Sequence, residues 1–134
     1  MNDRATTSER VVLTIPPHAS WVRLARLTVA GVASRLGFGV DDVEALRIGI
    51  DELAMVLLDD AEGDGDLTIT YIPSDAGLVV EGRRPRRSGV TDPLEPPASI
   101  VAQILSTVVD EWELDAVDGA ATFRCRKRPE TVVS

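Results

Sequence analysis

Glu52, in the stretch GIDELAMVLLDD at residues 49–60, is the residue whose type and position most clearly suggest chemistry. The spacing of the apolar residues around it predicts a helix, and Ile48, Met55 and Val56 share the side of that helix on which Glu52 lies. A carboxylate on an otherwise apolar helix face is energetically costly unless something uses it. Glu52 is therefore the first candidate for a functional residue.

Three other groups of residue types could do chemistry, and the sequence argues against each of them. The acid-rich segment 60–66 has the opening spacing of a calcium loop, but Tyr71 occupies the position of the closing glutamate. His18 is the single histidine, and no motif places a nucleophile or second base near it. Cys125 is the single cysteine, which excludes an internal disulfide and a metal cage of several cysteines. We therefore predict no metal site.

The composition of the 134-residue chain is typical of one ordinary globular domain. Its net charge of −8 argues against nucleic acid as the main ligand, because phosphate binding requires a positive field. The longest aliphatic run, residues 53–58, is too short to span a bilayer, and the start MNDRATTSER lacks the apolar core of a secretory signal. We expect a cytoplasmic protein that binds neither nucleic acid nor membranes.

The apolar periodicity predicts the order strand, helix, helix, hairpin, helix, hairpin. The first strand is RVVLTIP, and the first helix runs from about 18 to 36. The strands LTITYI and LVVEG form the first hairpin, and Asp118-Gly119, a strong turn signal, joins the strands of the second. This order predicts an α+β fold, a two-layer sandwich with a mixed, mostly antiparallel sheet and three helices on one face. Cys125 is expected to face the core.

Three boundaries in this scheme have specific signals. Asp41 and Glu44 form a capping-box pattern, which predicts the start of the second helix. Pro97 is expected in the first turn of the third helix. The segment RRPRRSGVTDPLEPP at residues 83–97 has prolines, glycine and arginines without periodicity, which indicates a mobile loop.

The element order and three stretches of the sequence resemble the anti-sigma-factor serine kinases of bacterial partner-switching systems. The stretches are ARLTVAGVASRLGF, DDVEALRIGIDELA and LSTVVDEWELD. These kinases are the RsbW-like members of the histidine kinase-like (GHKL) ATPase superfamily. The resemblance covers residues 10–128 and implies the Bergerat-type sandwich, with a loose leader at 1–9 and a tail at 129–134.

The resemblance implies an ATP site, but three of that family's ligand sets are missing here. The family's second helix carries Glu-x-x-x-Asn, whose glutamate is the general base and whose asparagine holds Mg²⁺. Glu52 matches the glutamate, whereas Val56 replaces the asparagine and offers no oxygen to a hard cation. The adenine-binding Asp-x-Gly-x-Gly is replaced by EGRRPRRSG, and the phosphate-binding glycines before the third helix by EPPASIV, whose prolines have no N–H to donate.

We therefore interpret Glu52 as the vestigial general base of a degenerate nucleotide site near Glu52, Val56, Arg84 and Arg86. No cofactor is expected, and ATP and Mg²⁺ would bind only if the chain were still a kinase. The arginines of the RRPRR cluster, residues 83–87, are candidates to pair with Glu52 or to bind phosphate or an acidic partner. The alternative for the cluster is a solvated loop.

The resemblance also implies a partner-binding surface on the first helix. Arg26, in ARLTVAG, stands where the family has an arginine that contacts both the sigma factor and its antagonist, and Arg23 would share the patch. The alternative is a solvated arginine. Trp21 and Trp112 are expected either in the core or at a dimer contact.

The resulting hypothesis is a homodimeric anti-sigma-like regulator that has lost kinase activity. It would bind a sigma factor or an antagonist of the STAS type. The alternatives are an active ATP-dependent serine kinase and a sensor of another anionic ligand at the remodelled pocket.

Overall fold

The structure, a computed structural model, describes residues 9–130 as a five-stranded sheet packed against three helices. Most of the predicted leader, residues 1–8, and the end of the predicted tail, residues 131–134, lie outside the described residues. The strands are β1 Val11–Ile15, β2 Leu67–Ser74, β3 Gly77–Pro85, β4 Glu111–Val117 and β5 Ala120–Lys127. The helices are α1 Val22–Arg35, which follows a short 3₁₀ turn at Ala19–Trp21, α2 Val40–Leu58 and α3 Ser99–Val108.

The sheet has the order β1-β2-β3-β5-β4, and every neighbouring pair is antiparallel. The turn between β4 and β5 is formed by Asp118 and Gly119, with φ of 51° and 77°. Positive φ at both central residues is the geometry that a tight hairpin turn requires. The predicted hairpin is therefore confirmed, and the predicted α+β sandwich with it; the strand pairs within residues 9–130 are all antiparallel, where a mixed, mostly antiparallel sheet was expected.

The core lies between one face of the sheet and the three helices. Alternate strand residues point into it because side chains along a strand alternate between the two faces. The fully buried residues include Leu67, Ile69, Tyr71, Val80 and Cys125 from the strands, Ala25 and Val29 from α1, Leu46, Ile50, Leu53 and Leu57 from α2, and Leu105 from α3. The burial predicted for Cys125 is confirmed. Helical spacing also predicts two core faces, Val22, Ala25, Val29, Val32, Ala33 and Leu36 for the first helix and Val43, Leu46, Ile50, Leu53, Ala54 and Leu57 for the second. All of these residues are buried or half-buried except Leu36, which follows the last residue of α1 and is 38% exposed.

Tyr71 ties the first helix to the centre of the sheet. Its hydroxyl donates a hydrogen bond of 3.0 Å to the carbonyl oxygen of Ala25 in α1. Burial raises the pKa of Tyr71 well above its ordinary value, so the phenol stays protonated and keeps this bond. The position of α1 is thus fixed by a polar contact as well as by packing.

Two predicted helix starts are wrong by one or two residues. Gly39 is the N-cap residue of α2, with no side-chain capping bond, so Asp41 and Glu44 do not form a capping box. Asp42, in the first turn of α2, instead binds residues from the end of β5 and beyond. Its carboxylate accepts a hydrogen bond of 2.8 Å from the backbone N–H of Glu130 and lies 3.5 Å from the ammonium group of Lys127. The third helix begins two residues after Pro97.

The predicted loop at 83–97 is also corrected, because β3 continues to Pro85. Arg83, Arg84 and Pro85 pair with residues 120–122 of β5 and are therefore part of the sheet. The alternation of apolar and polar residues that predicts a strand is absent at Arg83 and Arg84, because both are basic. A long polar side chain is compatible with either face of a sheet. None of the helices among residues 9–130 has the length and apolarity that a bilayer crossing requires.

Gly82 provides a test of how closely β3 and β5 are packed. A methyl group at Gly82 would overlap the ring of Phe123, which pairs with it across the sheet. Gly82→Ala is expected to lower the free energy of unfolding by about 1–3 kcal/mol, measured by urea denaturation, because the ring must move in a dense core.

Gly31→Ala is the matched control, since Gly31 lies within α1 and no atom lies within 4 Å of the added methyl. This variant is expected to raise stability by about 0.5–1 kcal/mol, because alanine favours the helix over glycine. Equal effects of the two substitutions would contradict the predicted clash.

Candidate functional site

A cavity of about 550 Å³ lies beside Glu52, between α2 and the segment that leads into α3. Its walls come from the second half of α2, from residues 59–62 of the following loop, from Arg86, and from residues 92–98 with Val101. This volume lies within the range of cavities that bind small molecules in proteins. The cavity lies where the degenerate nucleotide site was predicted.

The structure brings three of the four predicted site residues to the cavity. Glu52 and Val56 are half-buried, one helical turn apart, and both line it, as does Arg86. The fourth residue, Arg84, is not among the lining residues. The carboxylate of Glu52 therefore faces a space bordered by the aliphatic side chain of Val56.

Arg86 is held in a buried ion pair. Its Nε lies 2.8 Å from one carboxylate oxygen of Asp60 and its Nη2 3.2 Å from the other, and the two side chains are 3% and 8% exposed. Its Nη1 donates to the carbonyl oxygen of Asp92 at 2.5 Å. Hydrogen bonding to Arg86 lowers the pKa of Asp60, and the same contact raises the pKa of Arg86. The charge of Arg86 is thus already balanced.

Arg84 binds the C-terminal end of α2. Its Nη1 donates to the carbonyl oxygens of Leu57 and Leu58 at 3.0 and 3.1 Å, and its Nε donates to that of Gly65 at 3.0 Å. A guanidinium is favourable there because the last carbonyls of a helix have no partner within the helix and carry partial negative charge. Gly63 lies against the same guanidinium, where an added methyl group would clash.

The expected pairing of Glu52 with the RRPRR arginines is wrong for the described structure. Arg84 and Arg86 bind other groups, and Arg87 forms an ion pair with Glu62. Arg83 points to the other face of the sheet, because neighbouring residues of a strand alternate.

The charge of the cavity wall is strongly negative. Among residues 9–130, six carboxylates line it together with one guanidinium, that of Arg86. Within residues 9–130, no salt bridge reaches Glu52, Asp59, Asp92 or Glu95. Sequence reasoning missed Asp92 and Glu95, because only the path of the chain before α3 brings them to α2. Their acidic character in TDPLEPP was visible, but their location was not.

The two predicted partner-binding arginines lie on an exposed part of α1. Arg23 is exposed, whereas Arg26 is half-buried and forms an ion pair with Asp51 of α2. Large apolar side chains are exposed beside them: Leu27 is 55% exposed and Ile48, on α2, is 37% exposed. Exposed aliphatic residues next to basic ones are the composition that protein-binding surfaces favour.

The two tryptophans lie in different environments. Trp21 is 44% exposed, so the core alternative is wrong for it. Trp112 is half-buried, and its indole N–H donates to the hydroxyl of Ser106 in α3 at 3.2 Å. Trp112 therefore packs the edge strand β4 against α3.

No protein-family model matches the chain. The chain is 40% identical over 65 residues to the serine-protein kinase RsbW of Bacillus cereus strain B4264, and 38% identical over 65 residues to that of Bacillus thuringiensis strain Al Hakam. Each match covers 47% of this chain and 41% of the relative, so it spans less than half of the curated relatives' length.

The fold is similar to that of a solved structure containing the RsbU and RsbW domains of a Mycobacterium tuberculosis protein. The TM-score is 0.67 at 12% sequence identity, and the match covers 95% of this chain and 35% of that one. The matched sequences and the shared fold confirm the resemblance to RsbW-like proteins.

The Asp60–Arg86 pair gives a pH-dependent prediction. Asp60→Asn is expected to lower the free energy of unfolding by about 3 kcal/mol at neutral pH, because it leaves a buried guanidinium without its counter-charge. The native pKa of Asp60 lies below its ordinary value of 3.8, so the contribution of the pair is present above that value and is lost as the pH falls through the lowered pKa. The difference between the two proteins should therefore shrink in acid.

Asp64→Asn is the matched control, because Asp64 lies in the same loop with an exposed side chain. Its effect should stay within about 0.5 kcal/mol at every pH. Urea denaturation across the range from neutral pH to about pH 3 measures both variants. A loss in Asp60→Asn that does not change with pH would contradict the assigned ion pair.

Proposed function

We propose that this RsbW-like chain is a cytoplasmic regulatory protein that binds a sigma factor or a STAS-type antagonist without phosphorylating it. The observation that carries the proposal is the cavity beside Glu52, which keeps the carboxylate but offers Val56 in place of a metal ligand. Control would then come from competition between partners for one surface, and the resemblance adds the expectation of a homodimer.

The chemistry of the cavity wall supports the loss of phosphoryl transfer. That reaction depends on a cation that neutralises the charge developing on the phosphates. Val56 has no oxygen for Mg²⁺, and Arg86 is already paired with Asp60. The remaining carboxylates would repel a triphosphate. Pro93, Pro96 and Pro97 line the cavity before α3, where backbone N–H groups would be needed to bind phosphate.

The surface of α1 supports the binding role. Arg23 and Leu27 lie one helical turn apart and are both exposed, and Ile48 extends the apolar part of the surface onto α2. Because Arg26 is paired with Asp51, while no salt bridge among residues 9–130 reaches Arg23, we assign the available positive charge of this surface to Arg23 and a positioning role to Arg26.

An active serine kinase is the second candidate, and two observations favour it. Glu52 still faces the cavity, and the curated relatives are named as serine-protein kinases. An anion sensor has less support, since both Arg84 and Arg86 bind groups of the protein itself.

Calorimetric titration with Mg-ATP separates the two candidates. We expect no saturable binding up to millimolar nucleotide, with or without Mg²⁺. Val56→Asn restores one metal ligand and is expected not to restore binding, because the proline segment and the carboxylates are unchanged. A micromolar, Mg²⁺-dependent dissociation constant for the wild type would establish the kinase alternative instead.

Substitutions on α1 test the binding surface. After a pull-down from the native host has identified a sigma factor or antagonist, Arg23→Glu is expected to weaken its binding at least tenfold, because it reverses an exposed charge at the contact. Arg26→Glu should weaken binding similarly, and its thermal unfolding must be measured because it also breaks the pair with Asp51.

Arg35→Glu is the control, since it makes the same charge reversal at an exposed position in the last turn of α1. It should leave the affinity within about twofold of the wild type. Unchanged affinity in Arg23→Glu and in a folded Arg26→Glu variant would show that the partner binds elsewhere.

A further inference from the structure

We propose that the cavity beside Glu52 binds an organic cation, a guanidinium or ammonium group carried on an aliphatic stem. This is the chemistry of an arginine or lysine side chain and of an aliphatic polyamine. The inference rests on the proposed function in one respect, namely that the cavity is not reserved for Mg-ATP.

The sign of the charge in the cavity favours a cation. The guanidinium of Arg86 is neutralised by Asp60, and Glu62 is paired with Arg87. Among residues 9–130, the four lining carboxylates without a salt bridge are that of Glu52, which is half-buried, and those of Asp59, Asp92 and Glu95, which are exposed. A concave wall lined by one sign of charge concentrates the field, so a cation is favoured there over an anion.

Part of the cavity wall is apolar. Met55 and Val56 of α2, Val101 of α3 and Leu94 between them line the same cavity. A fully hydrated inorganic ion gains nothing from such a surface, whereas the methylene groups of an arginine-like stem bury apolar area against it. Carboxylates together with aliphatic side chains therefore favour a ligand with a charged end and an apolar body.

The carboxylates are spread over several walls of the cavity. Among residues 9–130, no three acidic, histidine or cysteine side chains come together closely enough to hold a metal ion. The acids instead come from α2, from the loop after it and from the segment before α3. Charges spread over several walls match a planar guanidinium or a ligand with two cationic ends better than a point charge.

The two methionines of the sequence make the experiment direct. Met55 lines the cavity, and Met1 is the second methionine of the sequence. Protein labelled with ¹³C at the methionine methyl groups therefore gives two signals, which Met55→Leu assigns. Agmatine, which has a guanidinium and an ammonium group on a four-carbon stem, is the probe, and N-butylurea is its uncharged counterpart.

Agmatine is expected to shift the Met55 signal saturably, with an affinity that falls as salt is added. N-butylurea should bind at least tenfold more weakly. Glu52→Gln combined with Glu95→Gln should weaken agmatine binding at least tenfold, because two of the four unpaired carboxylates are neutralised. Glu9→Gln combined with Glu113→Gln, at two exposed positions away from the cavity, is the matched control and should change the affinity less than twofold.

A capped pentapeptide with a central arginine distinguishes the two sources of the cation. Binding as tight as that of agmatine assigns the cavity to a basic side chain on a polypeptide, and binding of agmatine alone assigns it to a small molecule. The proposal is overturned if agmatine does not shift the Met55 signal. It is also overturned if both double variants weaken agmatine binding equally, because equal effects would mean that the net charge of the protein alone attracts the cation. A Met55 shift with Mg-ATP would instead overturn the proposed function, so the two failures are distinct.

Discussion

The C-terminal end of α2 is the constraint on which the site depends. The last carbonyls of a helix need donors from outside it, and here Arg84 supplies them to Leu57 and Leu58 while also binding Gly65 across the loop. One side chain of β3 therefore fixes where α2 ends and where the chain returns to the sheet. The loop between these points is short enough that Asp60 is brought to Arg86, and the wall of the cavity follows from that pair.

This use of the arginines determines the electrostatics of the cavity. In the sequence, RRPRR looks like a source of positive charge for a phosphate, but in the folded chain Arg84 is hydrogen-bonded to carbonyl oxygens and Arg86 to a carboxylate. A guanidinium with a neutralising partner contributes little field at a distance, whereas the carboxylates around it keep theirs. The cavity is therefore negative although a basic cluster forms part of its border.

The parts of the structure that were predictable from the sequence are those set by local periodicity. The core faces of α1 and α2 and the turn at Asp118-Gly119 follow from residue spacing and from the backbone that each residue type accepts. The strand at Arg83–Pro85 was not predictable in this way, because pairing with β5, which is remote in sequence, makes it a strand. The position of Asp92 and Glu95 at the cavity was hidden for the same reason.

On the proposed function, Glu52 keeps the position of a general base without acting as one. As a general base it would need a substrate hydroxyl and a phosphate held in line with it, and the metal that holds the phosphate needs an oxygen ligand where this chain has Val56. Without that metal, the carboxylate adds its charge to those of Asp59 and Glu95 across the same cavity. On the proposed function, the absence of a Mg²⁺ ligand at Val56 would then do more than abolish a reaction. Carboxylates that a metal would otherwise bridge to phosphate would themselves attract a cation.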